Sequence, residues 1–545
     1  MENATADNSK NDLSLDAITK EVENMVQKEQ GQYGGVTAVV PLTPATNDIL
    51  TALHANEKGD AWLFINCQRQ RFCFDHSLEK WFRWNGHFWE EDVIGYVYSA
   101  IDCVVDIYSK EYDRQAQKRK STAFNHNADE AKKAADLQKE LLRRMYELQS
   151  VYRQRHVLFF AGTGENTLGI SGDEWDTNPF LLGCANGVID LKTGEFSAGK
   201  PEDYIRMAAP TEWKDIDEPA PLWEHFLKGM FDGNDDLVAY TQRLLGYGIT
   251  GSTRDHILAV FWGPHGRNGK GTLFETLKYI LGPVIEPIDV EMLTGNQKNR
   301  SSAAPSPDIM SLRGRRLVWA SEADDGHQFA IGKIKWLTGA DTLTGRPPFG
   351  KQNITFSPTH KIFLITNKRP QLSSIDKAFL ERLHLIPLTL SFVDNPTEPF
   401  QRQCDHELPE KLKSEASGIL AWLVKGCLEW QQSGLQPPAI ILETTAEYEA
   451  DEDIVGQFLS ECTREEANGE VRAQVLYNTY KTWCERCGYR YLGIKKFGER
   501  MKEQYEKGAD SRGNYYKGLS LITYTQQDNV DAYSQQDDFD SLDFL

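Results

Sequence analysis

The sequence predicts an α/β fold, and three features of its central part support that prediction. Residues 254–395 alternate apolar, strand-like runs with helical patterns, as an α/β domain should. The strand-like run at 256–262 leads into a glycine-rich segment, 263–269, and then into a helical pattern. Further apolar runs at 317–320 and 360–366 each end on polar residues. We therefore expect an α/β domain whose functional residues lie just after the ends of its strands.

Length and composition limit the classes of protein that this chain can belong to. Its 545 residues suggest three domains or so, and a hydrophobic fraction of 40% indicates large cores. A net charge of −20 argues against coating DNA with the whole surface, although a few inward-facing basic groups could still grip DNA. The nine cysteines have no regular spacing that indicates a disulfide framework. No signal-peptide core or long apolar run occurs, so we expect a cytoplasmic protein without a membrane-spanning helix.

The strand, loop and helix at 256–281 have the layout of a phosphate-binding P-loop. The glycines let backbone N–H groups turn toward phosphate oxygens, and the helix beginning near Lys270 points its positive end at them. Because Gly271 stands where serine or threonine is usual, Thr272 is the nearest hydroxyl for Mg²⁺. The alternative is a glycine-rich turn with an incidental lysine. The residues expected to bind ATP are Gly263, Gly266, Asn268, Gly269, Lys270, Gly271 and Thr272.

Three further residues suit ATP hydrolysis by their positions at strand ends or in the segment after them. Glu322 comes directly after an apolar strand, where a carboxylate could hold Mg²⁺ or polarise water. Asn367 ends the next strand and could sense the γ-phosphate, although alone it would be read as a turn residue. Arg382 could reach the ATP of a neighbouring subunit, although a lone arginine more often forms a surface salt bridge. Asp324 and Asp325 support Glu322 or lie in a solvated loop.

Five blocks in a fixed order resemble superfamily 3 helicases, specifically the phage/plasmid primase–helicase family related to the poxvirus primase-helicase. The blocks are NGKGT (268–272), RRLVWASE (315–322), KWLTGADTLTGR (335–346), FLITNKRP (363–370) and DKAFLERL (376–383). Two upstream blocks, NGVIDLKTGEF (186–196) and LLGYGITG (244–251), look like the domain that precedes the motor in this family. Residues 458–503 look like its winged-helix-like module.

The resemblance implies an AAA+-type P-loop core that hydrolyses ATP with Mg²⁺. In it, Lys270 is the Walker A lysine, Glu322 the Walker B acid and Mg²⁺ ligand, Asn367 the sensor and Arg382 the arginine finger. The hairpin in 335–351 would enter the channel of a ring, with Lys351 and Arg346 touching DNA. The family commonly has two adjacent arginines at the finger, whereas Glu381 replaces the first here.

Six segments are expected along the chain. They are a flexible leader (1–60), an N-terminal α+β domain (61–250), the superfamily 3 ATPase domain (251–433), a proline-rich linker (434–454), a winged-helix-like module (455–525) and an acidic disordered tail (526–545). Within the second segment, a further compact region begins near Trp175. The basic stretch 110–121 is either a solvated helix face or a contact for DNA phosphates. The leader is too short for a catalytic primase domain, so primase activity in this chain is not expected.

We predict a replicative helicase of a phage or plasmid-like element, working in the host cytoplasm as a homo-oligomeric ring, a hexamer, on single-stranded or forked DNA. Two alternatives remain. One is a non-helicase initiator or regulator, or a primase-associated NTPase, that holds DNA through basic residues of the C-terminal module; the other is a soluble P-loop kinase. The acidic tail, with Phe539, Leu542, Phe544 and Leu545 among its aspartates, could dock on a primase, polymerase or single-stranded-DNA-binding protein. Its simpler interpretation is a solubilising end.

Overall fold

The computed structural model describes residues 44–124, 127–294, 305–321, 328–348, 350, 352–372 and 376–522. These residues form a mixed α/β protein with two compact units. The first unit contains 44–174 and 199–204, and the second contains 175–198 and 205–522. Over the described ranges, no helix combines the length and the apolar character needed to cross a membrane.

The first unit is a helical assembly with one small sheet. Its helices are α1 (Thr46–His54), α2 (Asn56–Gln68), α3 (Tyr96–Ser99), α4 (Asp102–Phe124), α5 (Ala128–Leu148) and α6 (Val151–Gly162), with a 3₁₀ turn at Pro201–Asp203. Its strands are β1 (Phe72–Asp75), β2 (Lys80–Trp84), β3 (Trp89–Glu91) and β4 (Gly169–Ile170), in the sheet order β3-β2-β1-β4. Strands β1, β2 and β3 pair antiparallel as two successive hairpins.

A buried carboxylate joins four helices of this unit. Asp60 on α2 is fully buried and accepts a hydrogen bond from the Tyr108 hydroxyl of α4 at 2.7 Å. It also accepts from Arg144 of α5 and Arg153 of α6, each at 2.8 Å. These donors offset the negative charge of the buried carboxylate. Removing the carboxylate would leave the guanidinium groups of Arg144 and Arg153 in the interior without it.

The expected start of order near Ala61 is too late along the chain. Helix α1 begins at Thr46, and Ile49 and Leu53 lie in the hydrophobic core of the first unit. These apolar residues recur at four-residue spacing, so one face of the helix is buried while the other stays polar. The rest of the predicted leader, 1–43, lies outside the described residues, as does the predicted acidic tail.

The second unit contains a central sheet flanked by helices. Its helices are α7 (Pro221–Met230), α8 (Asp235–Gly248), α9 (Lys270–Leu281), α10 (Pro307–Ser311), α11 (Ile331–Thr338), α12 (Lys377–Leu380), α13 (Leu408–Lys413), α14 (Ala416–Ser433), α15 (Ala439–Glu452), α16 (Ile454–Cys462), α17 (Ala473–Cys487) and α18 (Ile494–Gln504), with 3₁₀ turns at Gly282–Val284 and Val290–Met292. Its strands are β5 (Leu181–Cys184), β6 (Gly187–Asp190), β7 (Phe196–Ser197), β8 (Leu258–Trp262), β9 (Ile285–Ile288), β10 (Leu317–Ser321), β11 (Leu343–Gly345), β12 (Ile354–Phe356), β13 (Lys361–Thr366), β14 (Leu383–Pro387), β15 (Ser391–Val393), β16 (Gln401–Gln403), β17 (Thr463–Arg472), β18 (Lys507–Asp510) and β19 (Gly513–Leu521).

The central sheet is fully parallel and has the order β14-β8-β13-β10-β9. Numbering its strands along the chain gives 5-1-4-3-2. Strand β13 is buried at every position, and α8, α9 and α14 pack in the same large core as the sheet. Burial on both faces explains why these strands are nearly continuous apolar runs in the sequence. The predicted alternation of strands and helices over 254–395 is confirmed.

The chain does not change compact unit near residue 250, where the sequence suggests a domain boundary. One core contains Leu182, Trp223 and Leu244 from before that boundary together with Phe261 and Phe363 from after it. The second unit begins at Trp175, where the sequence does suggest a new compact region. The boundary at 250 therefore differs from the structure, because helices α7 and α8 are part of the core around the central sheet.

The expected linker over 434–454 also differs from the structure. Residues 439–452 form α15, and its Ile441 and Tyr448 are 1% and 2% exposed. The Tyr448 hydroxyl donates to the Pro370 carbonyl, and the helix packs on β14. Pro438 sits at the N-cap, so the prolines that suggest a linker actually precede a helix.

The C-terminal part of the second unit contains α16–α18 and an antiparallel sheet in the order β17-β19-β18. Its core is formed by residues such as Phe458, Tyr480, Trp483 and Phe497, whose rings contact one another. Helices α17 and α18 and the β18–β19 hairpin follow one another along the chain. Strand β17, which lies between α16 and α17, was not predicted.

Candidate functional site

Three polar segments meet at the carboxyl edge of the central sheet. The glycine-rich loop comes after β8, Ser321 ends β10 and Asn367 comes after β13. Trp262 pairs with Thr366, and Ser321 pairs with Ile365, so the three strands end at nearly the same level. The carboxyl edge of a parallel sheet is where ligands usually bind. Glu322 is the next residue after β10 but lies outside the described residues.

The glycine-rich loop uses its glycines for two different reasons. Gly266 and Gly269 have φ of 66° and 86°, a left-handed conformation that side chains disfavour. Gly263 has a different role, since a Cβ there would come within 2.6 Å of the Asn268 side-chain oxygen. A Cβ at Gly271 would meet no atom within 4 Å. The loop therefore requires glycine at 263, 266 and 269, whereas the space around Gly271 could accommodate a Cβ.

Lys270 is the first residue of α9 and is held by side chains from two loops. Its Nζ donates to the side-chain oxygens of Asn268 and Asn367, each at 2.8 Å. Asn268 is 2% exposed and donates in turn to the Leu390 carbonyl. The structure thus brings together Lys270 and Asn367, which are 97 residues apart in the sequence. A cation at a helix N-terminus, beside turned backbone N–H groups, suits an anionic ligand.

These residues line a cavity of about 460 Å³. One wall is polar and is formed by residues 267–272, Ser321 and Asn367. The lining also contains the apolar side chains of Phe226, Ile365, Phe392, Val393 and Leu408. Asp394, Cys404, Asp405 and His406 complete the lining. A cavity of this size, lined by a lysine and by several apolar side chains, is compatible in volume and polarity with a nucleoside triphosphate.

The sequence gives no indication of the segment that forms the apolar side of this cavity. Strands β15 and β16 pair in parallel, with Ser391 opposite Gln401 and Val393 opposite Gln403. They are three residues long and joined by a short exposed connection, so no periodicity marks them. Sequence reasoning therefore missed Phe392, Asp394, Cys404, Asp405 and His406.

Helix α11 and the antiparallel strands β11 and β12 occupy the region in and just after the hairpin expected in 335–351. Helix α11 ends at Thr338, and Leu343 pairs with Phe356 across the antiparallel strands. Arg346 is the residue after β11; its backbone N–H donates to the Ser306 hydroxyl at 3.0 Å. Its side chain is half-buried, and the described cavity lining does not include it. Lys351, the other residue expected to touch DNA, lies outside the described residues.

Arg382 lies between α12 and β14 and contacts α11 within its own chain. Its Nη1 donates to the Lys335 carbonyl at 2.9 Å and to the Thr338 hydroxyl at 3.0 Å. Lys335 also donates to Asp376 at 2.7 Å, and this hydrogen bond lowers the pKa of the Asp376 carboxyl. Arg382 is not part of the described cavity lining of its own chain.

The basic residues of the C-terminal part differ in their surroundings. Lys495, Lys496 and Arg490 are exposed, as are Tyr489 and Tyr491. Arg500 instead donates to Glu503 at 2.6 Å and to Asp453 at 3.4 Å. Residues 489–496, just before and at the start of α18, therefore present a basic and aromatic surface, whereas Arg500 connects α18 to Asp453 at the N-cap of α16.

Comparison with known proteins identifies two matching regions. The D5 N terminal like family model matches residues 60–232, and the Poxvirus D5 protein-like model matches 450–542. A protein of Acanthamoeba polyphaga mimivirus named "Putative helicase L207/L206" is 26% identical over 458 residues, 79% of this chain and 46% of its own length. Frog virus 3 "Putative helicase 022R" is 22% identical over 387 residues, 57% of this chain and 39% of its own. The chain thus spans less than half the length of these relatives.

Among solved structures, the apo A form of the NrS-1 C terminal region covers 83% of this chain and 96% of its own at 14% identity, with a TM-score of 0.42. The two family matches confirm the resemblance to D5-like proteins that the sequence suggests.

Proposed function

Because the chain carries D5 N-terminal-like and poxvirus D5 protein-like domains, we propose that it is an ATP-driven replicative DNA helicase of superfamily 3. The observation that supports this most is the contact of Lys270 with Asn367 beside a nucleotide-sized cavity. The strand order 5-1-4-3-2 with a P-loop after the first strand supports an AAA+-type core. The helix pair and hairpin of the C-terminal part support a winged-helix-like module.

In this proposal the γ-phosphate lies beside Lys270, whose position is fixed by two amide oxygens. Lys270 offsets the negative charge that increases on the phosphate oxygens during hydrolysis, and Asn367 reports on the phosphate through its contact with Lys270. Glu322, directly after β10, polarises the attacking water. Thr272, which lines the cavity two residues after Lys270, would hold Mg²⁺ together with Glu322. The bound Mg²⁺ would supply positive charge for the phosphate oxygens.

The proposed active assembly is a ring, a hexamer, in which each ATP lies between two subunits. Arg382 of one subunit leaves its contacts on its own α11 and binds the phosphate held by its neighbour. Hydrolysis of that ATP therefore changes the contacts of α11 and, through α11, the position of the β11–β12 hairpin. Arg346 and Lys351 of that hairpin would hold single-stranded or forked DNA in the channel. The tail beyond 525 would dock a replication partner, and the protein would work in the host cytoplasm.

A second function is favoured by the exposed start of α18. Lys495, Lys496 and Arg490, with Tyr489 and Tyr491, could let the C-terminal module hold DNA in a regulator that initiates replication without unwinding. Deleting 455–545 distinguishes the two functions. A helicase keeps ATPase activity that responds to single-stranded DNA, whereas an initiator loses its binding to DNA altogether.

The proposed function is tested by ATP hydrolysis with and without single-stranded DNA. We expect DNA to stimulate the wild-type rate and Lys270→Ala to lower that rate at least about 100-fold, because a preorganised group acting on the transition state is lost. Lys425→Ala, which removes a surface lysine of α14 that is 43% exposed, is the matched control and should keep the wild-type rate. Full activity in Lys270→Ala would refute the P-loop assignment.

A further inference from the structure

A short β-ribbon is attached directly to the P-loop. We call residues 391–406 the flap; they contain β15, β16 and the segment just after β16. The Phe392 N–H donates to the Arg267 carbonyl at 2.8 Å, and the Phe400 ring stacks on His265 with 4.0 Å between centroids. Asn268, which holds Lys270, donates to the carbonyl of Leu390 just before the flap. The flap and the P-loop therefore form one connected structure.

The charged groups that line the cavity favour one orientation of a bound nucleotide. The P-loop contributes Lys270 and the N-terminus of α9 to the lining, whereas the flap contributes Asp394, which contacts His406, and Asp405, which pairs with Lys411 at 2.9 Å. Carboxylates repel phosphates, and the helix N-terminus attracts them. A nucleoside triphosphate is therefore favoured in one orientation, with its phosphates at Lys270 and its sugar and base toward the flap.

The groups at the flap end match those parts of the ligand. Phe392 and Leu408 offer apolar side chains for the face of a base. Asp394 and Asp405 are acceptors, and ribose hydroxyls are donors. His406 contacts Asp394 at 2.6 Å, so this carboxylate has a neighbour that orients it.

We propose that the flap is the nucleoside-binding wall of the site and selects a ribonucleoside triphosphate by its base and ribose. This inference rests on the proposed function in taking the P-loop as the triphosphate site. It assigns Phe392 and Leu408 to the base, and Asp394 and Asp405 to the ribose. Because the backbone of Phe392 is hydrogen-bonded to the P-loop, a nucleoside bound against the flap also stabilises the loop that holds Lys270.

The test compares two ligands that share the phosphates but not the nucleoside. Binding of ATP and of inorganic tripolyphosphate is measured by calorimetry on wild type, Phe392→Ala, Lys270→Ala and Phe196→Ala. Phe196, which is 40% exposed on β7, is a matched control away from the cavity lining. Phe392→Ala keeps its backbone hydrogen bond and should weaken ATP binding about 10-fold while leaving tripolyphosphate binding unchanged. Lys270→Ala should weaken binding of both ligands.

The outcomes separate this inference from the proposed function. If wild type binds neither ligand, the triphosphate site itself is wrong. If wild type binds both, and Phe392→Ala binds ATP as wild type does, the P-loop assignment stands and the flap inference is overturned. An equal loss of both ligands in Phe392→Ala also overturns it, because the side chain would then act on the phosphates.

Cys404 gives a second readout that needs no substitution. It lines the cavity on the flap and is partly exposed. Saturating ATP should slow alkylation of Cys404, as measured by peptide mass spectrometry, while saturating tripolyphosphate should not. The exposed Cys487 is the internal reference, with unchanged labelling. Labelling of Cys404 that responds equally to the two ligands, or to neither, would contradict a nucleoside at the flap.

Discussion

The two edges of the central sheet both hold buried basic side chains, but in opposite electrostatic surroundings. At the amino edge, Arg316 precedes β10 and Lys361 begins β13; they are 2% and 3% exposed. Arg316 donates to the Ile249 carbonyl at 2.8 Å, and Lys361 donates to the Thr250 carbonyl and to that of Thr359 at 3.1 Å. At the carboxyl edge, Lys270 occupies the first position of α9.

The difference lies in which end of a helix each group meets. Ile249 and Thr250 come directly after α8, so the amino-edge donors satisfy carbonyls at the negative end of a helix. Lys270 instead lies at the positive end of α9, where a cation is disfavoured and an anion is favoured. The amino edge gains its stabilisation on folding. The carboxyl edge gains part of its stabilisation only when an anionic ligand binds.

The largest expected effect on stability is at the amino edge. Arg316→Ala leaves the Ile249 and Leu181 carbonyls buried without their donor and should lower the free energy of unfolding by about 3 kcal/mol. Thermal unfolding measures the loss, with Arg143→Ala, a 74% exposed arginine, as the control. The folded fraction of the variant should still bind ATP. An unchanged melting temperature would mean that the buried hydrogen bonds of Arg316 at the amino edge do not stabilise the fold.

A smaller effect is expected from pH. Burial, and then the neighbouring Lys361, lowers the pKa of His360 to about 4, and burial lowers the pKa of His384 to about 4. Both rings stay neutral in the folded protein but gain a proton near pH 6.5 when unfolded. Stability is therefore lost as pH falls from the unfolded pKa toward the folded one, by about 2 kcal/mol in total between pH 6.5 and 5.5.

The urea midpoint, measured across pH 7.5 to 5, checks this dependence above the range in which most carboxylates titrate. His384→Gln keeps a partner for the Tyr240 hydroxyl, which contacts His384, but cannot titrate. It should reduce the fall by about half. A midpoint that rises as the pH falls would contradict the neutral state of both rings.

The smallest expected effects on stability come from alanine substitutions at two glycines of the P-loop, which should behave differently. Gly269→Ala places a Cβ on a backbone with φ of 86° and 3.1 Å from Phe226, and should cost about 1–2 kcal/mol of stability. Gly271→Ala adds a Cβ that meets no atom within 4 Å, so helix propensity should leave stability unchanged or raise it by up to about 1 kcal/mol. Chemical denaturation of the two variants measures the difference. Equal losses of stability in the two variants would mean that the loop does not have the conformation described.

The carboxyl edge could be predicted from the sequence because its residues come directly after strongly apolar strands. Burial on both sheet faces produces continuous runs such as 361–366, and in a parallel sheet the residues just past each run lie at the same edge. Lys270 and Asn367 were found in this way. Their direct contact could not be predicted, since it depends on the pairing of β8 with β13 across about a hundred residues of chain.

The flap and helix α15 show the limits of the same reasoning. Phe392 and Asp405 reach the cavity from short strands and loops, whose positions depend on packing rather than on a local period. In α15, two prolines suggest a linker, but Ile441 and Tyr448 bury one helix face against the sheet. The amino-edge donors were likewise not predicted, because buried arginine and lysine look like surface residues in a sequence.

The central claim, that Lys270 of one subunit and Arg382 of the next complete one ATP site, is tested most directly by mixing two inactive variants. Lys270→Ala and Arg382→Ala should each lose ATPase activity alone. In an equal mixture, about a quarter of the sites pair an intact Lys270 with an intact Arg382, so activity should return. If the mixture stays as inactive as its components while mixed rings form, Arg382 does not act on a neighbour's nucleotide.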